Sequence, residues 1–372
     1  MADNTVYVDG NLDAHENLET GANWSYAYLG AAGLQTALDA VNDGNNTDMF
    51  IRNTFDLTGT IDIDAGAGDK ATNKWLRVIG CDASGDELTL GNYVTLTAGG
   101  AGTYTIMDIG EDLDNVELRH LRLYNNSQGV GYDGIFIDAN GFGGIMRNIL
   151  INACKIEKTH SGITTEDDVV ALTIVDTIIT NVVDYGIAVE ASMGKVLTVI
   201  GCDIQVAATK TCISLRCSAT ILNTILRDGA YGINDDFGDA VTIANCIFYK
   251  QTTSGIVTDE TDSLINEYNN IYIYANQGDY YTNDGDGSIG YSDYGFVHFG
   301  AEAVNNPHPG PHSINNKNPW FVDGDNGDFR LKPTSPALNT GKPTLGNSLT
   351  NTGYSTIGTF GRISYLRYNQ NG

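Results

Sequence analysis

The sequence predicts an all-β solenoid built from stacked β-coils. Two alternating phrases recur through its middle, their period is in the low twenties, and no repeat unit contains a helix. The first phrase reads GIFID at 134, GITTE at 162, GIAVE at 186, CISLR at 212, GINDD at 232 and GIVTD at 255. The second reads ILINACKI at 149, LTIVDTII at 172, LTVIGCDI at 197, ATILNTIL at 219 and VTIANCIF at 241. Its small-residue column runs Cys154, Thr177, Cys202, Thr224 and Cys246, at separations of 23, 25, 22 and 22.

Within a unit, Ile151, Ile174, Val199, Ile221 and Ile243 share one column, and Ile156, Ile179, Ile204, Leu226 and Phe248 share another. The columns lie five residues apart, which would put them on opposite faces of one flat strand. A corner between them returns both to the interior. Ala153, Asp176, Gly201, Asn223 and Asn245 stand at that corner, and all but the alanine are ordinary turn formers. Each coil is therefore several short strands around a narrow apolar core, stacked about 4.8 Å from the next.

The ends differ from the middle. In LGAAGLQTALDAVNDG, Leu34, Ala37, Leu38 and Val41 follow the i, i+3, i+4, i+7 pattern of a short amphipathic helix. Such a helix can cover the open first coil. Early coils are read at WLRVIGCD and VELRHLRLYN, while residues 275–330 read as loop-rich and polar. DGDNGDF, 323–329, begins like a calcium loop but lacks the glutamate at the twelfth position, and reads as a terminal turn. The organisation expected is an N-terminal strand and capping helix over 1–60, coils over 61–335 and a C-terminal cap over 336–372, all in one structural domain.

The chain has 372 residues and a formal charge of -26, from 46 acids against 20 bases. A surface this negative repels phosphate backbones and anionic lipid, so neither nucleic acid nor membrane insertion is expected. An acidic polysaccharide would need a local basic patch or bound calcium. The opening MADNTVYVDG has no basic segment followed by an apolar one, so no secretory signal is read there. The six cysteines form no CxxC and suggest neither a disulfide framework nor a zinc site.

The opening VYVDGN...NWSYAYLGAAGLQTALDAVNDGNNTDMFI, the IGC and NC strand ends and the closing GDFRLKPTSPALNTG resemble the right-handed parallel β-helix proteins of the pectin-lyase-like superfamily. The resemblance implies that architecture, with an N-terminal capping helix, over nearly the whole chain. It covers lyases, hydrolases, esterases, phage tailspikes and virion proteins, so it does not choose a chemistry. The Asn-Thr-Asp, paired-Asp, Gly-His-Gly and Arg-Ile-Lys set of polygalacturonase-like hydrolases is reduced here to NDD at 234–236. Pectate-lyase-like sites pair calcium-binding acids with a basic residue acting as base. Here the acids are abundant and the basic residues look isolated along the repeat.

The first phrase carries an acidic column: Asp138, Glu166, Glu190, Arg216, Asp236 and Asp259. Like charges one coil apart repel, and Arg216 is expected to relieve them by pairing with Glu190 and Asp236. The simplest role for the column is a solvated strand edge that keeps the solenoid soluble. Calcium held by Glu166, Glu190, Asp236 and Asp259 is the second reading. A glycosidase carboxylate pair among Asp235, Asp236 and Asp259 is the third. Tyr272, Tyr274, Tyr280 and Tyr281 are candidates for a saccharide-binding strip, or for a cover over the late coils.

With no complete catalytic set, the first functional expectation is a phage virion protein, a tail or capsid decoration component without evident catalysis. It would assemble in the host cytoplasm with capsid or tail proteins, as a homo-oligomer and in a spike as a trimer. The alternative is a polysaccharide lyase or glycoside hydrolase acting on a cell-surface or acidic polysaccharide.

Overall fold

The computed structural model describes residues 4–11, 28–41, 46–63, 75–98, 104–110, 115–125, 128–138, 148–166, 169–190, 196–236, 240–258, 264–273, 280–282, 288–293, 296–298, 314–315 and 317–338. They fall into two compact units, Met1–Val183 with Ile187–Lys195, and Asp184–Gly186 with Val196–Gly372. Both are parallel β-helices in which each coil contributes one strand to each of three sheets.

In the first unit, the first sheet contains Asn4–Asp9, Thr47–Arg52, Leu76–Gly80, Val116–Arg119, Ile149–Asn152 and Ala171–Val175, with Tyr28–Leu29 at its edge. The second contains Phe55–Leu57, Val94–Ala98, Leu121–Asn125, Lys155–Glu157 and Ile178–Val182. The third contains Ile61–Ile63, Met107–Ile109, Ile135–Ile137, Ile163–Thr165 and Ile187–Val189. Every pairing among these strands is parallel.

The second unit repeats the plan. Its first sheet runs from Val196–Ile200 to Ser288–Asp293. Its second runs from Asp203–Val206 to Ile314–Asn315, and its third from Thr211–Leu215 to Tyr280–Thr282. Strands are thus present at Tyr280–Thr282, Ser288–Asp293, Phe296–His298 and Ile314–Asn315, where the sequence reads as loop. Long polar insertions conceal those short strands from a pattern search.

The corner between the first and second sheets explains the columns. Asn53, His120, Ala153 and Asp176 in the first unit have φ of 65°, 55°, 51° and 47°. Gly201, Asn223, Asn245 and Asn269 in the second have 70°, 53°, 57° and 57°. One left-handed residue turns the chain in each of these coils, and Asn, Asp and Gly tolerate that region best. The turn brings both expected columns inside: Ile151 registers with Ile174, and Val199, Ile221 and Ile243 follow one another. Past the corner, Ile156 registers with Ile179, and Ile204, Leu226 and Phe248 follow one another. All of these side chains are fully buried, each contributing about 1.5–3 kcal/mol by leaving water.

The cysteine and threonine column ties neighbouring coils. Thr177 Oγ1 accepts from the Cys154 amide at 3.3 Å and donates to the Val175 carbonyl at 2.9 Å. Thr224 does the same for Cys202 and Leu222, at 3.4 and 3.0 Å. The thiols of Cys154, Cys212 and Cys246 are buried, and desolvation pushes each up to about 12, so they stay protonated and inert.

The leading glycine of the first phrase also has a physical cause. A Cβ on Gly232 would lie 2.4 Å from the Phe248 ring and 2.5 Å from the Gly255 carbonyl oxygen. The coil passes too close to its neighbour there for any side chain.

The capping helix spans Gly30–Asp39 and buries Leu34, Ala37 and Leu38. It also finishes a sheet edge. The Gln35 side chain donates to the Asp62 carbonyl at 2.8 Å and accepts from the Asp62 amide at 2.9 Å. An amide side chain thus stands where another strand would pair.

Candidate functional site

The acidic column is a structural ladder in the first unit, and its described positions in the second are Arg216 and Asp236. In the first, the amides of Asp138, Glu166 and Glu190 donate to Ile109, Ile137 and Thr165 at 3.1, 2.9 and 3.0 Å. Each acid therefore follows a third-sheet strand at an equivalent position on its coil. Glu190 is exposed, while Asp138 and Glu166 are half-buried. In the second unit the Asp236 amide donates to Leu215 at 3.0 Å, which sets Asp236 one coil beyond Arg216.

Strand alternation separates the Asp235–Asp236 pair. Asp235 registers with Leu215 and Thr258 in an inward column and is fully buried. Asp236 follows it on the outer side, where the Asn234 side-chain amide donates to its carboxylate at 2.8 Å. The expectation that both could serve one glycosidic bond fails on this geometry, since Asp235 has no exposed surface to offer a saccharide. Asp259 lies outside the described residues.

Arg216 is exposed, and here the expected charge relief is not found: among the described residues it makes no ion pair. Arg52, Arg77, Arg119, Arg122, Arg227 and Arg330 are each held by a carboxylate at 3.0 Å or less. In a protein of charge -26, an arginine without a carboxylate partner is the exception among the described arginines. Ser214 and Asn234, which register with each other on the outer face of the same strands, are half-buried beside it. Guanidinium, carboxylate, hydroxyl and amide together suit a polar ligand that carries a negative charge.

No group of three or more His, Cys, Asp or Glu side chains that could hold a metal is found among the described residues. Glu166, Glu190 and Asp236 occupy ladder positions and form no such group.

Tyr272 is core rather than surface. It is 2% exposed, stacks on Phe248 with ring centroids 4.5 Å apart, and its hydroxyl donates to the buried Glu267 carboxylate. It continues the Leu226–Phe248 column, where a wide aromatic pair fills the late coils. Tyr280 and Tyr281 lie on a third-sheet strand whose backbone alone is described, and Tyr274 lies outside the described residues.

A second charged feature was hidden in the sequence by spacing. Arg122 and Lys155, 33 positions apart, are register partners on the outer face of the second sheet in the first unit. Their neighbours Tyr124 and Glu157 are partners in turn. Basic residues that look isolated along the chain are adjacent across coils.

No protein-family model and no curated protein matches the sequence. Among solved structures, pectate lyase Pel9A matches over 97% of this chain and 96% of its own, with 11% identity and a TM-score of 0.62. The chain has the parallel β-helix fold of that structure. Full-length tailspike protein 2 of an Escherichia coli O157:H7 bacteriophage is 11% identical over 88% of this chain, with a TM-score of 0.41. This chain spans 48% of that tailspike. The A-module of an Azotobacter vinelandii mannuronan C-5 epimerase is 13% identical over 77% of this chain and 93% of its own, with a TM-score of 0.34.

The expectation of a virion protein without evident catalysis is corrected by the first of these. It took missing signature motifs as missing catalysis, yet the structure matched from end to end at 11% identity is a lyase's.

Proposed function

We propose that the chain is a polysaccharide lyase acting on an acidic, uronate-bearing polysaccharide, with Arg216 and Asp236 at its reacting centre. The observation that carries this reading is the exposed Arg216, which makes no ion pair among the described residues and sits one coil from an oriented carboxylate. A guanidinium engages a substrate carboxylate through two parallel hydrogen bonds. That contact draws charge from the carboxylate and acidifies the proton on the adjacent ring carbon. Asp236, about one coil spacing away, accepts that proton as general base. The released electron pair forms the ring double bond, the bond to the glycosidic oxygen breaks, and the departing oxygen takes up a proton from water. Asn234 holds Asp236 in place throughout. A hydrolase would need two accessible carboxylates, and the burial of Asp235 removes one candidate.

The test is incubation with polygalacturonate and alginate while following the ultraviolet absorbance of unsaturated uronates. Arg216→Ala should lower turnover by roughly 10²–10³, the range for losing one oriented donor to a developing anion. New reducing ends without unsaturation would move the reading to a glycoside hydrolase. No product from any uronate polymer would end it.

A depolymerase carried by a phage keeps the virion location and the homotrimer anticipated above. The six buried, unbridged cysteines suit assembly in a reducing compartment such as the host cytoplasm. No described helix is long and apolar enough to cross a membrane. A light-scattering mass of one chain would remove the homo-oligomer.

A further inference from the structure

The second sheet wears different outer faces in the two units. In the second unit that face begins with the Asp203–Arg227 ion pair and then turns apolar: Ile225, Ile247, Ile271 and Ile273 are buried with Phe329, Leu331 and Ala337 of the chain's own C-terminal segment. In the first unit it carries charge. Lys155 and Arg122 both bind Glu157, at 2.9 and 2.5 Å. The Lys158 ammonium donates to the Tyr124 hydroxyl at 3.0 Å. Arg122 and Lys158 each lie 5.2 Å from the Tyr124 ring centroid. One coil earlier, Thr95 and Thr97 stand opposite Arg122 and Tyr124.

Arg122 and Lys155 therefore share one carboxylate, and Lys158 is held by the Tyr124 hydroxyl instead, inside a protein whose total charge is -26. Glu157 and Tyr124 fix the cations without neutralising them. Arg122 uses its Nε on Glu157, makes no other side-chain hydrogen bond among the described residues, and keeps 37% of its side chain exposed. The terminal nitrogens of a guanidinium carry four of its five donors, and these remain available. Little side-chain entropy is left to lose on binding, which favours a preformed site.

We propose that Arg122, Lys155 and Lys158 form an accessory binding strip for a carboxylate-bearing polysaccharide, made of residues that take no part in cleavage. The strip shares the substrate class of the proposed lyase, but its own residues carry it. In the Thr95–Arg122–Lys155 column hydroxyl and cationic side chains follow one another at about 4.8 Å per coil, which suits an extended polymer with recurring charge laid along the coils. The adjacent column runs Asp56, Thr97, Tyr124 and Glu157. A second copy of the chain is a poorer occupant, because the strip lacks the apolar centre of a protein interface. Nucleic acid is disfavoured by the surrounding negative field.

The experiment is affinity electrophoresis of the full chain in gels containing polygalacturonate, alginate, neutral dextran or double-stranded DNA, with turnover on short oligouronates measured separately. Arg122→Gln combined with Lys158→Gln should weaken retention by the uronate polymers roughly tenfold or more, as expected for losing two charge-assisted contacts. Thr95→Glu leaves the cations untouched and should weaken it too, which covers the case that the double variant misfolds. Asp236→Ala, which removes the proposed base and no substrate-binding cation, should keep retention while losing turnover. Unchanged retention in folded strip variants would overturn the proposal, as would equal retention by DNA at the same salt. A change of oligomeric mass with uronate binding intact would make the strip a copy interface instead. Wild-type retention without turnover would defeat the lyase reading and leave the strip standing.

Discussion

The Asn234 side-chain amide donates to the Asp236 carboxylate across 2.8 Å, while Asp235 between them is turned into the core and is fully buried. Adjacent acids thus occupy separate environments, and substitution should separate them. Asp235→Ala removes a buried carboxyl together with its interactions and should cost about 1–3 kcal/mol of stability. Asp236→Ala should leave stability within about 0.5 kcal/mol and abolish turnover on uronate polymers. Thermal melts beside product assays decide it. A large loss of stability for Asp236→Ala with turnover retained would reverse the assignment.

Thr224 supplies a second test, because its hydroxyl both accepts from the Cys202 amide at 3.4 Å and donates to the Leu222 carbonyl at 3.0 Å. Thr224→Val keeps the shape and leaves the Cys202 amide without its acceptor. The expected cost is about 1–3 kcal/mol, read from the denaturant midpoint. Thr224→Ser, which retains the hydroxyl, should recover most of it. Equal stability of the valine and serine variants would show that the column holds the coils by shape alone.

The solenoid was legible because each coil repeats the same environments, so Ile151 and Ile174, or Ile221 and Ile243, recur at the period of the coil. Its corners were legible because left-handed backbone selects Asn, Asp and Gly. The site was not, for two reasons. Sequence neighbours are poor guides to surface neighbours: Arg122 and Lys155 meet across 33 positions because a long insertion lies between them. Conversely, Asp235 and Asp236 read as a pair although strand alternation sends them to opposite sides. That second point was available from the sequence, since Asp235 stands two residues after the inward Ile233. Ion pairing of Arg216 depends on side-chain reach, which no spacing reports.

The ladder of Asp138, Glu166 and Glu190 should respond to salt more than to any one cation. Its acids recur once per coil, about 4.8 Å apart, where like charges repel and mobile ions screen them. We expect calcium and magnesium at matched ionic strength to raise the melting temperature by similar small amounts. Bound calcium would behave differently, adding about 2.7 kcal/mol at 100 times its dissociation constant. A calcium-specific rise that disappears in Glu166→Gln with Glu190→Gln would establish a metal site on the ladder.

The C-terminal hairpin, made of the antiparallel strands Phe321–Asp323 and Asp328–Leu331, should loosen in acid. Asp325 accepts from Lys250 and from the Tyr249 hydroxyl, each at 2.7 Å, and these hydrogen bonds hold its carboxyl below the usual range. In the same hairpin, the hydrogen bond from Arg330 lowers Asp328. A carboxylate depressed in the folded state contributes stability above its unfolded pKa of about 3.9. That contribution is lost as pH falls through the folded value, so the change belongs below about pH 4. Tyr249 also meets Phe329 and Phe321 edge to face, with centroids 5.0 and 6.5 Å apart, so loosening should reduce the near-ultraviolet circular dichroism of this cluster. Asp325→Asn should show part of that reduction already at neutral pH and a shallower acid transition. An acid transition unchanged by Asp325→Asn would place its origin in other carboxylates.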